Sequence, residues 1–499
     1  MQRANCRILT LFSTLALGAC ALSPTPMDDS EIKMRAQNGI ARVDYGQEPV
    51  TSAVDLYEAM ARALKYNLDQ RVEEMDAALR LRELNLAHAG LLPNVVAASG
   101  YAARNNDNAS NSVNILTGVE SLATSTSQER RIGTADIAFS WNILDFGLSY
   151  VRARQASDKY LIAQEMRRRV VNRIVEDVRT AYWRVVSADS LIVKLRRLEH
   201  RIWRAQANSR ASATERQTSP IAAATYEREL VEIKRTIQEL QRDLSVARTQ
   251  LSALMNLRPG TRFSVVGARR LGALALHLPL PKLIETALAN RPEIRDVWYR
   301  RRINEQEYSA ALLELLPGLS PYAGTNYDSN DFLYNSNWVS WGAKASWNVI
   351  RVFQYPARRE VVDAQERLLD ARELAVIMAI ITQVHVSRIR YYQFAKELAT
   401  ANEYLAAQNR LMDLMRAEAA ASRISEQTLI REEMNTLVAE ARRDIAHASL
   451  QNAFAGVHTS VGLDPYGSEI DLTADVKTLA GKLRTILIER GDRSGANRL

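Results

Sequence analysis

The stretch Ala135-Asp136-Ile137-Ala138-Phe139-Ser140-Trp141-Asn142-Ile143 places apolar residues at every odd position, with Asp136, Ser140 and Asn142 between them. A second stretch does the same: Val339-Ser340-Trp341-Gly342-Ala343-Lys344-Ala345-Ser346-Trp347-Asn348-Val349. A period of two predicts β-strands with one apolar and one polar face. Their length matches a tilted strand crossing a bilayer, and Trp near a strand end suits the membrane–water boundary. The expectation is that Ile137, Phe139 and Trp141 meet lipid in the first stretch, and Trp341, Ala343 and Trp347 in the second. A partner strand is expected upstream of each, over 95–104 and 319–327, where alternation is weaker.

These two strands belong to a unit written twice. Ala63-Leu64 and Leu91-Leu92-Pro93 recur 224 residues later as Ala287-Leu288 and Leu315-Leu316-Pro317. Ser140-Trp141-Asn142-Ile143 recurs at an offset of 206 as Ser346-Trp347-Asn348-Val349, and Leu257-Arg258-Pro259 recurs at 206 as Leu463-Asp464-Pro465. The change of offset assigns 18 extra residues to the first copy, within the Asn-, Ser- and Thr-rich run 105–128, which reads as an exposed loop. Both offsets are even, so equivalent strand residues share a face.

Around the strands the period is helical. Helices are expected over 56–91 and 283–315, and long seams follow each second strand. Val171, Ile174, Val178, Ala181, Val185, Ala188, Ile192 and Leu195 are spaced by threes and fours, as are Ile377, Ile380, Val384, Ser387, Tyr391, Phe394, Leu398 and Ala401. A return helix carries Leu230, Ile233, Ile237, Leu240, Leu244, Ala247, Leu251 and Leu254. Each long helix is expected to run about 60 to 65 residues, about 90–100 Å, with turns near 209–220 and 421–426.

The chain starts with a short positive region, Arg3 and Arg7, and a largely apolar run from Ile8 to Gly18. Leu17-Gly18-Ala19-Cys20 then resembles the lipobox of bacterial lipoproteins. That resemblance implies cleavage before Cys20 and acylation of it, and Ala21 in place of an Asp favours the outer membrane. The side-chain charge would fall from +8 to +6 as Arg3 and Arg7 leave. Residues 21–50 read as an extended leader. No later segment has the apolar length of a spanning helix.

Composition excludes several classes. Apolar residues make up 47% and charged residues 24% of 499, an ordinary folded balance. Two cysteines, Cys6 and Cys20, rule out a disulfide scaffold. The pI of about 9.4 comes from Lys and Arg interleaved with acids on helical faces, without a nucleic-acid signature. No metal-binding, nucleophile-elbow or phosphate-loop motif occurs, and the histidines form no ligand set, so no catalytic, metal or cofactor site and no enzyme is expected.

A lipobox, two copies of helix–strand–loop–strand–long helix–turn–helix, and no spanning helix together resemble the TolC family of outer-membrane export channels. The resemblance covers 53–465; the Leu-Pro ends of the first helices, the Trp-Asn strand ends and Glu176-Asp177-Val178-Arg179-Thr180-Ala181-Tyr182 look like family features. It implies an α+β membrane protein: a homotrimer whose chains each give four strands to a twelve-stranded barrel, continued by a helical periplasmic tunnel. Four strands alone cannot close, and lipid does not tolerate open edges. The implied organisation is a signal peptide at 1–19, a lipidated leader at 20–52, repeats at 53–265 and 283–465 joined by a linker at 266–282, and a periplasmic tail at 466–499.

The implied function is a passive conduit in the outer membrane of a Gram-negative bacterium, with a periplasmic adaptor (membrane fusion) protein and an inner-membrane pump or ABC transporter. The cargo is small molecules or, alternatively, proteins of a type I secretion system. A lipid-anchored coiled-coil scaffold without a pore is the reading of another class, and it has no need of four strands. The family's usual Gly at the hairpin tips is replaced by Gln217 and Arg423. By resemblance, Glu432 and Glu433 fall near a periplasmic constriction, with Arg416, Arg423 and Arg431 placed to pair with acids on the neighbouring hairpin.

Overall fold

The computed structural model describes residues 26–43, 46–121, 123–214, 219–267, 279–421, 423–463 and 471–493. The signal sequence, Cys20 and Gln217 lie outside them, as does most of the 266–282 linker.

The offsets seen in the sequence are the offsets of the elements. Helices α2 (Leu56–Tyr66) and α3 (Leu68–Ala89) shifted by 224 land on α6 (Leu280–Asn290) and α7 (Pro292–Leu313). Strands β1 (Asn94–Ala103) and β5 (Gly318–Asp328) match at the same offset. At 206, β4 (Arg131–Ser140) lands on β6 (Asn337–Ser346), and α5 (Pro220–Leu254) on α9 (Glu426–Ser460). The long helices α4 (Ile143–Thr214) and α8 (Ile350–Ala420) complete the two copies. The expected loop insert carries only a two-residue ribbon, β2 (Ala109–Ser110) with β3 (Ser125–Thr126), and its residues are exposed.

Several boundaries differ from expectation. The helices expected over 56–91 and 283–315 are each broken. Asn67 is extended and its side-chain oxygen caps the amides of Asp69 and Gln70. In copy two, Arg291 is extended because it precedes Pro292. The strands stop at Ser140 and Ser346 rather than running to 143 and 349. Asn142 takes the amides of Leu144 and Asp145 on its side chain and opens α4. The long helices have 72 and 71 residues and the return helices only 35 each, not 60–65 throughout. The reason is a division of partners. The start of α4 packs on α3 and α7, while its remainder packs on α5 and α9, so no single neighbour needs its length.

The leader is not extended throughout: α1 (Asp29–Val43) is an exposed helix with an Arg35–Glu31 pair one turn apart. The tail holds α10 (Val476–Arg493), whose Val476, Leu479 and Leu483 are buried in the main core with Ala59, Met60 and Ala63 of α2.

That core forms a belt around the middle of α4. Its residues Val171, Ile174, Val178, Tyr182 and Val185 come from the predicted seam. Tyr182 donates to the Val266 carbonyl at 2.5 Å, where Val54 and Val265 form a parallel bridge. Burial pushes the Tyr182 hydroxyl up and the neighbouring Arg179 guanidinium down from their ordinary ranges. The copy-two seam is less enclosed: Ile380, Val384 and Tyr391 are buried, Ile377, Ser387, Phe394 and Leu398 only partly.

Candidate functional site: a strand sheet and the ends of two helical hairpins

The four long strands make one antiparallel sheet in the order β1-β4-β5-β6. Its register decides which residues share a face. Ile137 lies opposite Ala97 on one side and Thr325 on the other, and Thr325 lies opposite Val339. Phe139 lies between Val95 and Ala323, which in turn faces Trp341. Pro321 faces Ala343 and Leu319 faces Ala345. All odd-numbered strand residues therefore lie on one face, and that face is mostly apolar across the four strands, with Ser99, Arg131, Thr325 and Asn337 its polar members. The even face carries Thr134, Asp136, Ser140, Asn326, Ser340 and Lys344, and Asn326 donates to Ser340 across it at 2.9 Å. The polar face still includes Val96, Ile132 and Trp338.

Ile137, Phe139, Trp341 and Ala343 thus share the odd face of the sheet. Trp141 and Trp347 stand one residue beyond the strands, at the junction with the long helices. Trp347 donates its indole N–H to the Leu315 carbonyl at 3.0 Å, and Trp141 meets Phe146 edge-on at 5.4 Å. The apolar body and satisfied polar tip of Trp347 suit a position between lipid and water. Among the described residues, β1 and β6 have no partner on their outer edges.

At the far end, α4 and α5 form one hairpin and α8 and α9 the other. Leu191, Leu195, Leu198, Ile202, Leu230 and Ile237 of the first are packed against Ile430, Met434, Leu437 and Ala441 of the second. Polar ties surround that contact. Glu433 is held by Arg201 of α4. Glu432 accepts from Gln408 of α8 at 2.6 Å. Arg431 reaches Glu229 of α5 at 3.9 Å, which also accepts from Gln427. Arg431 therefore meets an acid of the other hairpin. Arg416 and Arg423 do not: at 3.5 Å each, they pair with Asp413 and Glu418 on their own hairpin. Tyr226 sits beside these ties, its hydroxyl pushed up by burial and then by the charge of Glu426. Sequence reasoning missed Arg201, because nothing local marks a pair 232 residues apart.

No protein-family model and no curated protein matches the sequence. Solved structures do match the fold. The Campylobacter jejuni CmeC outer membrane channel aligns with a TM-score of 0.67 at 12% identity, over 92% of this chain and 98% of that one. CusC, described in terms of folding and transmembrane channel formation, gives 0.63 at 16%, over 84% and 96%. The open state of the Neisseria gonorrhoeae MtrE outer membrane channel gives 0.63 at 15%, over 82% and 89%. The fold is that of the TolC-type outer-membrane channels, as the ordered motifs implied.

Proposed function

We propose that this protein is the outer-membrane conduit of a tripartite export system. Three copies would complete a twelve-stranded barrel, odd face to lipid and even face to the pore, with the helical hairpins extending into the periplasm. The observation that carries this reading is the sheet: one apolar face, one polar face and two open edges, continuous with helices of 72 and 71 residues. No helix of the described residues is long and apolar enough to cross a membrane. Export is passive in this scheme; an inner-membrane pump joined through a periplasmic adaptor supplies energy and selects small-molecule cargo. The Arg201–Glu433 and Arg431–Glu229 ties make the hairpin ends the proposed gate. With both carboxylates engaged inside the chain, they act as clasps rather than as a bare acidic ring. Cys20 is the proposed lipid anchor, and mass spectrometry of the mature N-terminus should find it acylated.

Planar-bilayer recording tests the function. The purified protein should insert with discrete conductance steps, and Arg201→Ala should raise the open fraction. Arg at Ile137 or Ala343 should cost up to about 2–4 kcal/mol near the bilayer midplane, and Arg at Ser140 or Ser346 much less. A protein without conductance, or equal tolerance on both faces, would overturn the reading.

A further inference from the structure

Between the strand sheet and the belt, α3, α4, α7 and α8 stand side by side in the order of the strands they adjoin, each packed on the next. One side of this helical wall is hollow. All four helices line a cleft of about 650 Å³. A second cleft, of about 440 Å³, adjoins it toward the strands and shares Lys159 and Glu307 with it.

Helix geometry says which way the hollow side faces. Phe146 of α4 meets Trp141, which continues the odd face of the sheet. At 3.6 residues per turn, the cleft residues Leu148, Arg152, Lys159 and Met166 fall on the opposite side of α4. On α7, Arg300, Ile303 and Glu307 of the clefts likewise lie across the helix from the exposed Trp298. The hollow side is therefore continuous with the even, polar face of the sheet.

The clefts combine apolar surface with unanswered positive charge. Ile162, Met166, Ile303 and the buried Leu369 line the larger one. Most of the charged groups are matched: Arg80 with Asp76 at 3.6 Å, Arg300 with Asp296 at 3.0 Å, and Arg358 with Glu314. Glu307 accepts from the Gln155 amide at 2.7 Å. Among the described residues, Arg152, Lys159 and Arg372 are exposed on this side with no acid in ion-pair or hydrogen-bond reach. Each carboxylate that lines the clefts already has a partner, so none remains to answer them. Surplus cations in a concave wall of low dielectric focus a positive potential into it.

We propose that the cargo is a small organic acid, an apolar body bearing a carboxylate or sulfonate. The larger cleft takes the body against Ile162, Met166, Ile303 and Leu369 and the anionic head at Lys159 and Arg372. Arg152 offers the next stop about 10 Å nearer the strands. The cleft volume falls in the range that holds drug-sized ligands. Its cations are exposed, so binding is weak and exchange fast, as passage along several sites requires. This deepens the conduit reading and rests on it for the route of the cargo.

Equilibrium dialysis of the full-length protein in detergent, against a micelle-only control, tests the cleft. The probes are naphthalene-2-sulfonate and its cationic counterpart, 2-naphthyltrimethylammonium. The sulfonate should be taken up in preference, less so as salt rises. Lys159→Glu with Arg372→Glu should weaken its uptake about tenfold and strengthen that of the cation. A merely misfolded variant would lose both probes. In planar bilayers under a potassium chloride gradient, the same double variant should lower the ratio of chloride to potassium permeability at least threefold. Equal uptake of the two probes, or a permeability ratio that the double variant leaves unchanged in a conducting protein, would overturn the anionic cargo and leave the conduit standing. A protein that conducts nothing would overturn both.

Discussion

The α3–α4 and α7–α8 contacts occupy the same place in the two copies, yet they are held by different chemistry. In copy two, Arg301 binds Glu366 and Glu373, Trp298 donates to Glu373 at 3.0 Å, and Asn304 donates to Glu366 at 3.0 Å. The position equivalent to Arg301 in copy one is Ala77, which is buried, and Glu366, Glu373 have the equivalents Tyr160 and Arg167. Among the described residues, Arg173 with Asp69 forms an ion pair between those two helices, and both its members are exposed. One backbone arrangement is thus satisfied either by close packing of a small residue or by a charge network. The helix positions are set by the repeat; the means of holding them is free to vary.

The strongest break of this comparison is to put the copy-two residue into copy one. Ala77→Arg buries a guanidinium with no carboxylates across from it and should cost about 3–5 kcal/mol, read as a lowered thermal midpoint. A loss under about 1 kcal/mol would mean that the copy-one contact is as adaptable as the other.

The reverse change should be milder. Arg301 is partly exposed, so Arg301→Ala should cost about 1–2 kcal/mol, diminishing as salt rises. Acid should imitate it. Burial opposes ionisation of the Glu373 carboxyl, but hydrogen bonds from Trp298 and Arg301 outweigh it and hold it below its ordinary value. A depressed carboxyl stabilises the fold above its unfolded pKa, and the contribution disappears as pH falls through the folded one. Amide exchange in α7 and α8 should therefore quicken on acidification below about pH 4, while α3 changes less. Equal responses in both copies would remove the network as the cause.

The smallest effect is expected at the loop insert. Cutting 105–128 back to the copy-two length should change stability by under about 1 kcal/mol, because loop closure depends weakly on length. The connection between copies there is made instead by Asn330, which donates to the Ser127 carbonyl and accepts from the Glu129 amide. Asn330→Ala is the sharper probe, and a larger loss from trimming the loop than from that substitution would reverse the assignment.

Much of this architecture was legible because short anchors repeat. Leu-Leu-Pro and Ser-Trp-Asn placed both strand pairs, and even offsets put equivalent residues on one face. The break at Asn67 was not legible, since nothing stops a helix pattern there except a side chain turning back to cap the next turn; Pro292 in copy two was the available signal. Strand ends were overrun for a related reason: Trp141 and Ile143 continue the alternation, while Asn142 between them starts a helix. Helices α1 and α10 lie outside the repeat, so no second copy marked them. The hairpin clasps depend on which helices become neighbours, and Arg201 meets Glu433 only after that is settled.

At the end of α9, Gly462 turns the chain through a φ of 75°, and a Cβ there would come within 2.7 Å of the Asn290 backbone. Its equivalent at the end of α5 is Asn256, which takes up a φ of 56° without being glycine. In exchange, its side chain donates to the Val43 carbonyl at 2.8 Å, and its own carbonyl accepts from Gln47. A plain corner in one copy is a mooring post in the other. It holds the end of α1 beside the cleft that Asn256 shares with Thr180. From there to the proposed lipid at Cys20, α1 spans about 22 Å and the residues before it at most about 30 Å. The climb along α4 from Thr180 to Ile143, just past the strand sheet, is about 55 Å. The leash is therefore about as long as the wall, so the proposed acyl chains on Cys20 would reach the level of the strand sheet only with the leader drawn taut along α4.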